Sequence, residues 1–222
     1  MKTFPNGWYP PTTEMIRLCA ETRPHKVVCG HYPFSLSEQL PNYKTATFLR
    51  EPIARAISLI EHRKRCAPRL RNLTYEQIIN REKEFVSKQL LNYQTKVMSM
   101  TLGDVNAVAG PIVESALTEA AKNMQRLDFL GITDQFQQSC AIFDHQFGTQ
   151  LSQRISRQNV GNYRAECSQK DRDFIASFLN LDIALYALAK EQFAQRNEID
   201  RTSIAQKLRG LFNRRGTFFG RR

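Results

Sequence analysis

Hydrophobic positions recur along the chain in two patterns. Lys26-Val-Val-Cys29, Thr45 to Leu49 and Phe129-Leu-Gly-Ile-Thr133 are short apolar runs rich in β-branched or aromatic residues, the pattern of buried strands. Between them, apolar residues fall at intervals of three and four. Ile53, Ile57 and Ile60 after Pro52 predict a helix from Pro52 to about Cys66, ended before Pro68. Thr74 opens a short helix carrying Tyr75, Ile78 and Ile79, and residues 83–101 form a further helical segment broken by Gly103. Gly110-Pro111 opens a helix through about Met124, and Asp134 caps one that runs to Phe147 or Gly148. Ser168 caps an amphipathic helix with Phe174, Phe178, Leu181, Leu185 and Leu188 on its apolar side. Thr12 or Thr13 starts a short helix through about Glu21, and Ser35 to Leu40 forms one helical turn. Residues 1–11 and 149–167 read as irregular. Strands alternating with helices predict an α/β layered fold with a mainly parallel sheet flanked by helices. No internal repeat and no second domain stand out.

Composition fits that picture. The 222 residues are 41% hydrophobic and 24% charged, as expected of one sizeable globular domain. The net charge of +11 is unevenly placed. Arg201, Lys207, Arg209, Arg214, Arg215, Arg221 and Arg222 follow the last acid, Asp200, and leave only +4 for the first 200 residues. Residues 1–200 therefore read as the domain and 201–222 as a basic, disordered tail. A general argument from basicity to nucleic acid is mostly an argument about that tail. Its mixture of Arg, Gly and Phe suits peripheral contact with an anionic membrane surface or RNA.

Five cysteines (Cys19, Cys29, Cys66, Cys140, Cys167) are scattered and show no metal-ligand spacing. Free buried thiols and a reducing compartment are the expectation. No run is apolar enough to cross a bilayer and the N-terminus has no apolar signal region, so a cytoplasmic protein without a metal is expected.

The richest chemistry lies at Leu49-Arg-Glu-Pro-Ile-Ala-Arg-Ala-Ile-Ser58. Arg50 ends a strand immediately before a helix, where open α/β sheets bind ligands and a helix N-terminus favours anions. Glu51, Arg55 and Ser58 fall at i, i+4 and i+7 and share one side of that helix. Two arginines and a hydroxyl there suit a phosphate.

This stretch resembles the 3′-phosphate-binding element, Leu-Arg-Asp-Pro-x-x-Arg-x-x-Ser, of sulfotransferases that use 3′-phosphoadenosine 5′-phosphosulfate (PAPS), in the branch of the Golgi carbohydrate enzymes and their bacterial relatives. Glu51 replaces the usual Asp and keeps its charge. Val28-Cys-Gly-His-Tyr-Pro-Phe34 is similar to the family's Gly-His-x-x-Phe segment, and Asn92-Tyr-Gln-Thr-Lys96 to its Asn-x-Gln-Thr-Arg element, with Lys for Arg. Phe129-Leu-Gly-Ile-Thr-Asp-Gln-Phe136 is similar to Phe-x-Gly-x-Thr-x-x-Phe, and Gln158-Asn-Val160, Ser168 and Asn180-Leu-Asp-Ile-Ala-Leu-Tyr186 to the family's C-terminal pattern. The pieces lie in order across about residues 25–195.

The resemblance implies a P-loop-kinase-like topology and transfer of a sulfuryl group from PAPS to a hydroxyl of a carbohydrate or other glycan acceptor. It makes His31 the base for that hydroxyl, a role suited to an imidazole of ordinary pKa about 6.5; the plainer reading is a strand-end histidine bonded to a loop. It makes Arg50 and Ser58 contacts of the 3′-phosphate, the alternative being a surface ion pair and a packed helix serine. Tyr163 and Arg164 would close over the adenine or the 3′-phosphate. Arg55 is expected to brace Glu51. Lys96 is expected to face solvent rather than orient an anionic acceptor. His25, His62 and His145 receive no role.

Family members also hold the 5′-phosphosulfate in an N-terminal Lys-x-Gly-Gly-Thr-Ser-like loop. Only 29 residues precede Gly30 here and none forms such a loop. Loss of one preorganised donor costs on the order of 100-fold in rate, so the chain as given is expected to be truncated and weakly active or inactive. A start assigned too late, a gene relic and a homologue repurposed for binding all fit. One rival function is a non-catalytic binder of polysaccharide, nucleic acid or membrane surface, using Arg63, Lys64, Arg65, Arg69, Arg71 and the tail. A solvated helix end explains the same cluster. A second rival, a P-loop-type kinase, conflicts with the missing phosphate loop.

Overall fold

The structure is a computed structural model that describes residues 16–17, 30, 32–100, 114–154 and 167–196. It is mostly helical around a small parallel sheet, an α/β arrangement. Strand β1 (Ala46–Leu49) pairs with β2 (Phe129–Ile132) in parallel, with Ala46 opposite Phe129 and Leu49 opposite Ile132. The helices of seven or more residues are α1 (Pro52–Cys66), α2 (Tyr75–Arg81), α3 (Tyr93–Ser99), α4 (Ser115–Gln125), α5 (Phe136–Phe147), α6 (Gln169–Ala176) and α7 over 180–196. None of the described helices is long and apolar enough to cross a membrane. The predicted strand at 26–29, the N-terminal segment beyond Ile16 and Arg17, and the tail lie outside the described residues.

Strand alternation assigns the two faces. Phe48 and Phe129 face α5, where their rings meet Phe136, Phe143 and Phe147 at centroid distances of 5.1–6.3 Å. Gly131, opposite Phe48, makes this possible: a Cβ there would lie 2.5 Å from the Phe48 ring. Leu49, Leu130 and Ile132 face the other way, into a core with Phe34, Met98, Met124, Leu185 and Phe193. A second core joins α1, α2 and α6 through Ile57, Ile60, Ile78, Leu90, Ile175 and Leu179. At the strand starts, the Asp128 carboxylate accepts from Thr45 N at 2.8 Å and from Lys44 Nζ at 3.0 Å, fixing the register before the first ladder pair.

Several elements follow the sequence expectation closely. α1 spans Pro52–Cys66, and the helical turn after Ser35 is Leu36–Gln39. Thr74 and Gln77 form a reciprocal capping box on α2. Ser168 Oγ accepts from Asp171 N at 3.1 Å. Other elements differ. The helix expected over 83–101 is three pieces: Lys83–Phe85, a π-type turn at Val86–Leu90, and α3. The break is at Asn92, whose φ of 43° is left-handed. The single helix expected after Ser168 is two, α6 and α7, and Leu188 lies exposed on α7 while Leu181, Leu185 and Ala189 are buried. Asp134 sits in a 3-10 turn over Thr133–Gln135 rather than capping α5.

Candidate functional site around the β1–α1 junction

Arg50 leaves β1 at its carboxyl edge and meets Gln94, the second residue of α3. Gln94 Oε1 accepts from Arg50 N at 2.9 Å, and Gln94 Nε2 donates to Arg50 O at 2.9 Å. The carboxamide thus pairs with both backbone groups of one residue, as a neighbouring strand would. At the end of β2, Ser139 Oγ likewise accepts from Ile132 N at 2.9 Å and donates to Ile132 O at 3.1 Å. Side chains therefore finish both strands at the edge where α/β sheets hold ligands.

The helix that follows is closed by its own carboxylate. Glu51 Oε1 accepts from Ile53 N at 3.0 Å and Oε2 from Ala54 N at 2.6 Å. Pro52 has no N–H, and Arg55 N bonds Glu51 O at 2.9 Å. The four N-terminal positions of α1 therefore offer no open amide. An anion arriving here meets side chains, not the helix amides expected from the sequence. The Ser58 hydroxyl, partly exposed two turns along α1, makes no hydrogen bond among the described residues.

Arg55 turns away from Glu51. Its guanidinium donates to Gln89 O at 3.0 Å and lies 4.4 Å over the Tyr93 ring. Burial pulls its pKa below the ordinary value, Asp182 and Tyr93 oppose that, and Arg50 adds to it. The expected Glu51–Arg55 brace is absent because Glu51 spends both oxygens as a cap. Lys96 is also a correction: it is 2% exposed, not solvated, and its ammonium donates to Ser87 O at 2.6 Å. Burial lowers its pKa, with Asp182 pulling the other way.

Behind the junction, two helix N-termini cap one another across 88 residues of sequence. Asp182 Oδ2 accepts from Gln94 N at 3.2 Å, and its Oδ1 from Thr95 N at 2.7 Å and Thr95 Oγ1 at 2.8 Å. In return Asn92 Oδ1 accepts from Leu181 N at 3.0 Å and Asp182 N at 3.1 Å. Each helix supplies the acceptor the other lacks, a capping box divided between two elements. Burial pushes the Asp182 carboxyl above its ordinary value, opposed by Thr95, Gln94 and Arg55.

The structure thus brings Arg50, Gln94, Arg55 and Asp182 into one connected region, with Ser58 further along α1. His31, Tyr163 and Arg164 lie outside the described residues. Of the basic cluster, Arg63 and Arg69 both grip Glu82, at 2.8 and 2.7 Å, and Lys64 pairs with Glu61 at 3.2 Å. Arg63 and Arg69 thus brace the end of α1 and the turn after it against the end of α2, while the Lys64 pair lies within α1. Cys66 is exposed rather than buried, while Cys140 and Cys167 are buried free thiols; Cys19 and Cys29 lie outside the described residues. Gln94, Asn92 and Asp182 carry structural work that the sequence motifs contained but did not assign. The available signal was polar residues set within apolar helical patterns, which in a folded chain must find partners. Compared with known proteins, the chain matches no family model and no curated protein.

Proposed function

We propose that this chain is a PAPS-type sulfotransferase domain of P-loop-kinase-like topology, in which the β1–α1 junction holds a nucleotide 3′-phosphate. The observation that carries the reading is Arg50, its backbone N–H and C=O clamped at the carboxyl edge of a parallel strand pair, followed by a helix whose Ser58 hydroxyl has no hydrogen-bond partner among the described residues. The guanidinium supplies charge and paired donors, and the hydroxyl supplies one more. Glu51 silences the helix amides, so affinity rests on those two side chains. In transfer, a new S–O bond to the acceptor hydroxyl forms as the S–O bond to the 5′-phosphate breaks. His31 takes the hydroxyl proton in this reading, and a glycan hydroxyl is the acceptor class. Tyr163 and Arg164 would complete the nucleotide contacts.

Calorimetry with adenosine 3′,5′-bisphosphate tests the proposal. Saturable binding is expected, stronger than for adenosine 5′-monophosphate, with Arg50→Ala removing most of the difference and Ser58→Ala part of it. Equal affinity for the two nucleotides in the unaltered chain would overturn the 3′-phosphate assignment.

A further inference from the structure

We infer that Gln94 is the positioning residue of the 3′-phosphate site, setting the direction in which Arg50 presents its guanidinium, and that Asp182 holds Gln94 in that role. The inference rests on the proposed 3′-phosphate reading and adds a residue and a line of control to it. A side chain just past the end of a strand projects according to its own backbone, and beyond Leu49 the ladder to β2 ends. Gln94 replaces the missing ladder on that residue, taking the Arg50 N–H and C=O together at 2.9 Å each. A two-point contact holds the peptides on both sides of the Arg50 Cα, and so fixes the direction of its side chain, which one hydrogen bond does not. Gln94 is itself only 8% exposed. Its own amide is held by Asp182 Oδ2, and its neighbour Thr95, fully buried, holds Asp182 Oδ1 through both backbone and hydroxyl.

The line Asp182, Gln94, Arg50 therefore joins the first turn of α7 to the strand-end arginine. No member of it beyond Arg50 needs to touch the nucleotide. The second arginine of the motif is tied into the same frame: Arg55 stacks on Tyr93, the residue before Gln94, and feels the Asp182 charge. An Arg–phosphate pair is directional, because paired N–H donors must meet paired oxygens. A misdirected guanidinium thus loses affinity for the 3′-phosphate while the rest of the nucleotide still binds. The cost expected for such misplacement is about tenfold or more in affinity.

Two readouts on the full chain separate this inference from the reading beneath it. The first is hydrogen exchange at the Arg50 amide, which needs no ligand. Gln94→Met keeps the side-chain length and removes both bonds, so Arg50 N–H is expected to exchange much faster while the core amides of β2 stay protected. Unchanged protection at Arg50 would overturn the clamp, whatever the chain binds. The second is the affinity ratio between adenosine 3′,5′-bisphosphate and adenosine 5′-monophosphate. Gln94→Met is expected to cut that ratio about tenfold, and Gln94→Met in an Arg50→Ala background to change it no further. Glu82→Gln, remote from the junction, controls for loss of stability and is expected to leave the ratio alone. A Gln94→Met ratio equal to that of the unaltered chain would overturn the positioning role. A ratio of one in the unaltered chain would overturn the 3′-phosphate reading and this role with it, while the exchange result still stands as a statement about the clamp.

Discussion

Asp182→Ala is the perturbation from which the structure predicts the largest loss of stability. The carboxylate is 1% exposed and accepts two backbone amides and a hydroxyl from the start of α3. Thr95 is fully buried and Gln94 nearly so, so water has little access to the donors left behind. An orphaned buried donor costs about 1–3 kcal/mol, and the Thr95 hydroxyl can rotate to ease its share. Two amides then give about 2–6 kcal/mol before relaxation, with Arg55 and Lys96 losing their compensating charge besides. Part of this is offset because the variant no longer buries a carboxylate. Against a typical total of about 5–15 kcal/mol, the variant should be marginal. Urea unfolding followed by circular dichroism measures it, since the shift in midpoint at constant slope gives the difference. Asn92→Gly keeps the left-handed backbone and removes the reciprocal cap together with the 3.3 Å bond from Asn92 Nδ2 to Asn180 Oδ1, so it should cost about 1–2 kcal/mol. The double variant should lose less than the sum, because both residues hold one junction. A loss below about 0.5 kcal/mol for Asp182→Ala, the range of an ordinary surface change, would refute the reciprocal-cap argument.

Further outcomes follow from the same contacts. Gly131→Ala must displace the Phe48 ring from three aromatic neighbours, Phe129, Phe136 and Phe143, and should cost about 1–3 kcal/mol, read as a lowered melting temperature. Hydrogen bonds from Arg69 and then Arg63 hold Glu82 below the ordinary carboxylate pKa. A depressed folded-state pKa gives stability that is present above the unfolded pKa and lost as pH falls through the folded one. Stability measured from neutral pH into the acid range should therefore fall less steeply in Glu82→Gln. Glu51→Gln keeps a capping acceptor but exchanges its second oxygen for a donor facing an N–H, so α1 should lose about 1 kcal/mol, again read by urea unfolding.

Local signals in the sequence located much of the fold. Pro52 at a helix start, Thr74 three residues before Gln77, and the apolar run from Phe129 each depend on neighbours within a turn or a strand. The missed features depend on partners far along the chain. Asn92 breaks a helical pattern because Leu181 and Asp182 offer amides 89 and 90 residues away. Leu188 fits an apolar periodicity that starts at Phe174, but the new helix start at 180 shifts the buried face to Leu185 and Ala189. Lys96 reads as surface until Ser87 O and the Asp182 charge give it a reason to be buried. The candidate site was legible as a set of residue types at Arg50 and Ser58. Its mechanics were not, because Glu51 capping and the Gln94 clamp are geometric facts about which oxygen reaches which amide.

The central claim, that the β1–α1 junction receives a nucleotide 3′-phosphate, is tested most directly by phosphorus NMR during titration of adenosine 3′,5′-bisphosphate with the full chain. The two phosphates give separate resonances. The account predicts that the 3′ resonance shifts and broadens to saturation, and that this response disappears in Arg50→Ala. A response confined to the 5′-phosphate, or a 3′ response that persists unchanged in Arg50→Ala, would contradict it.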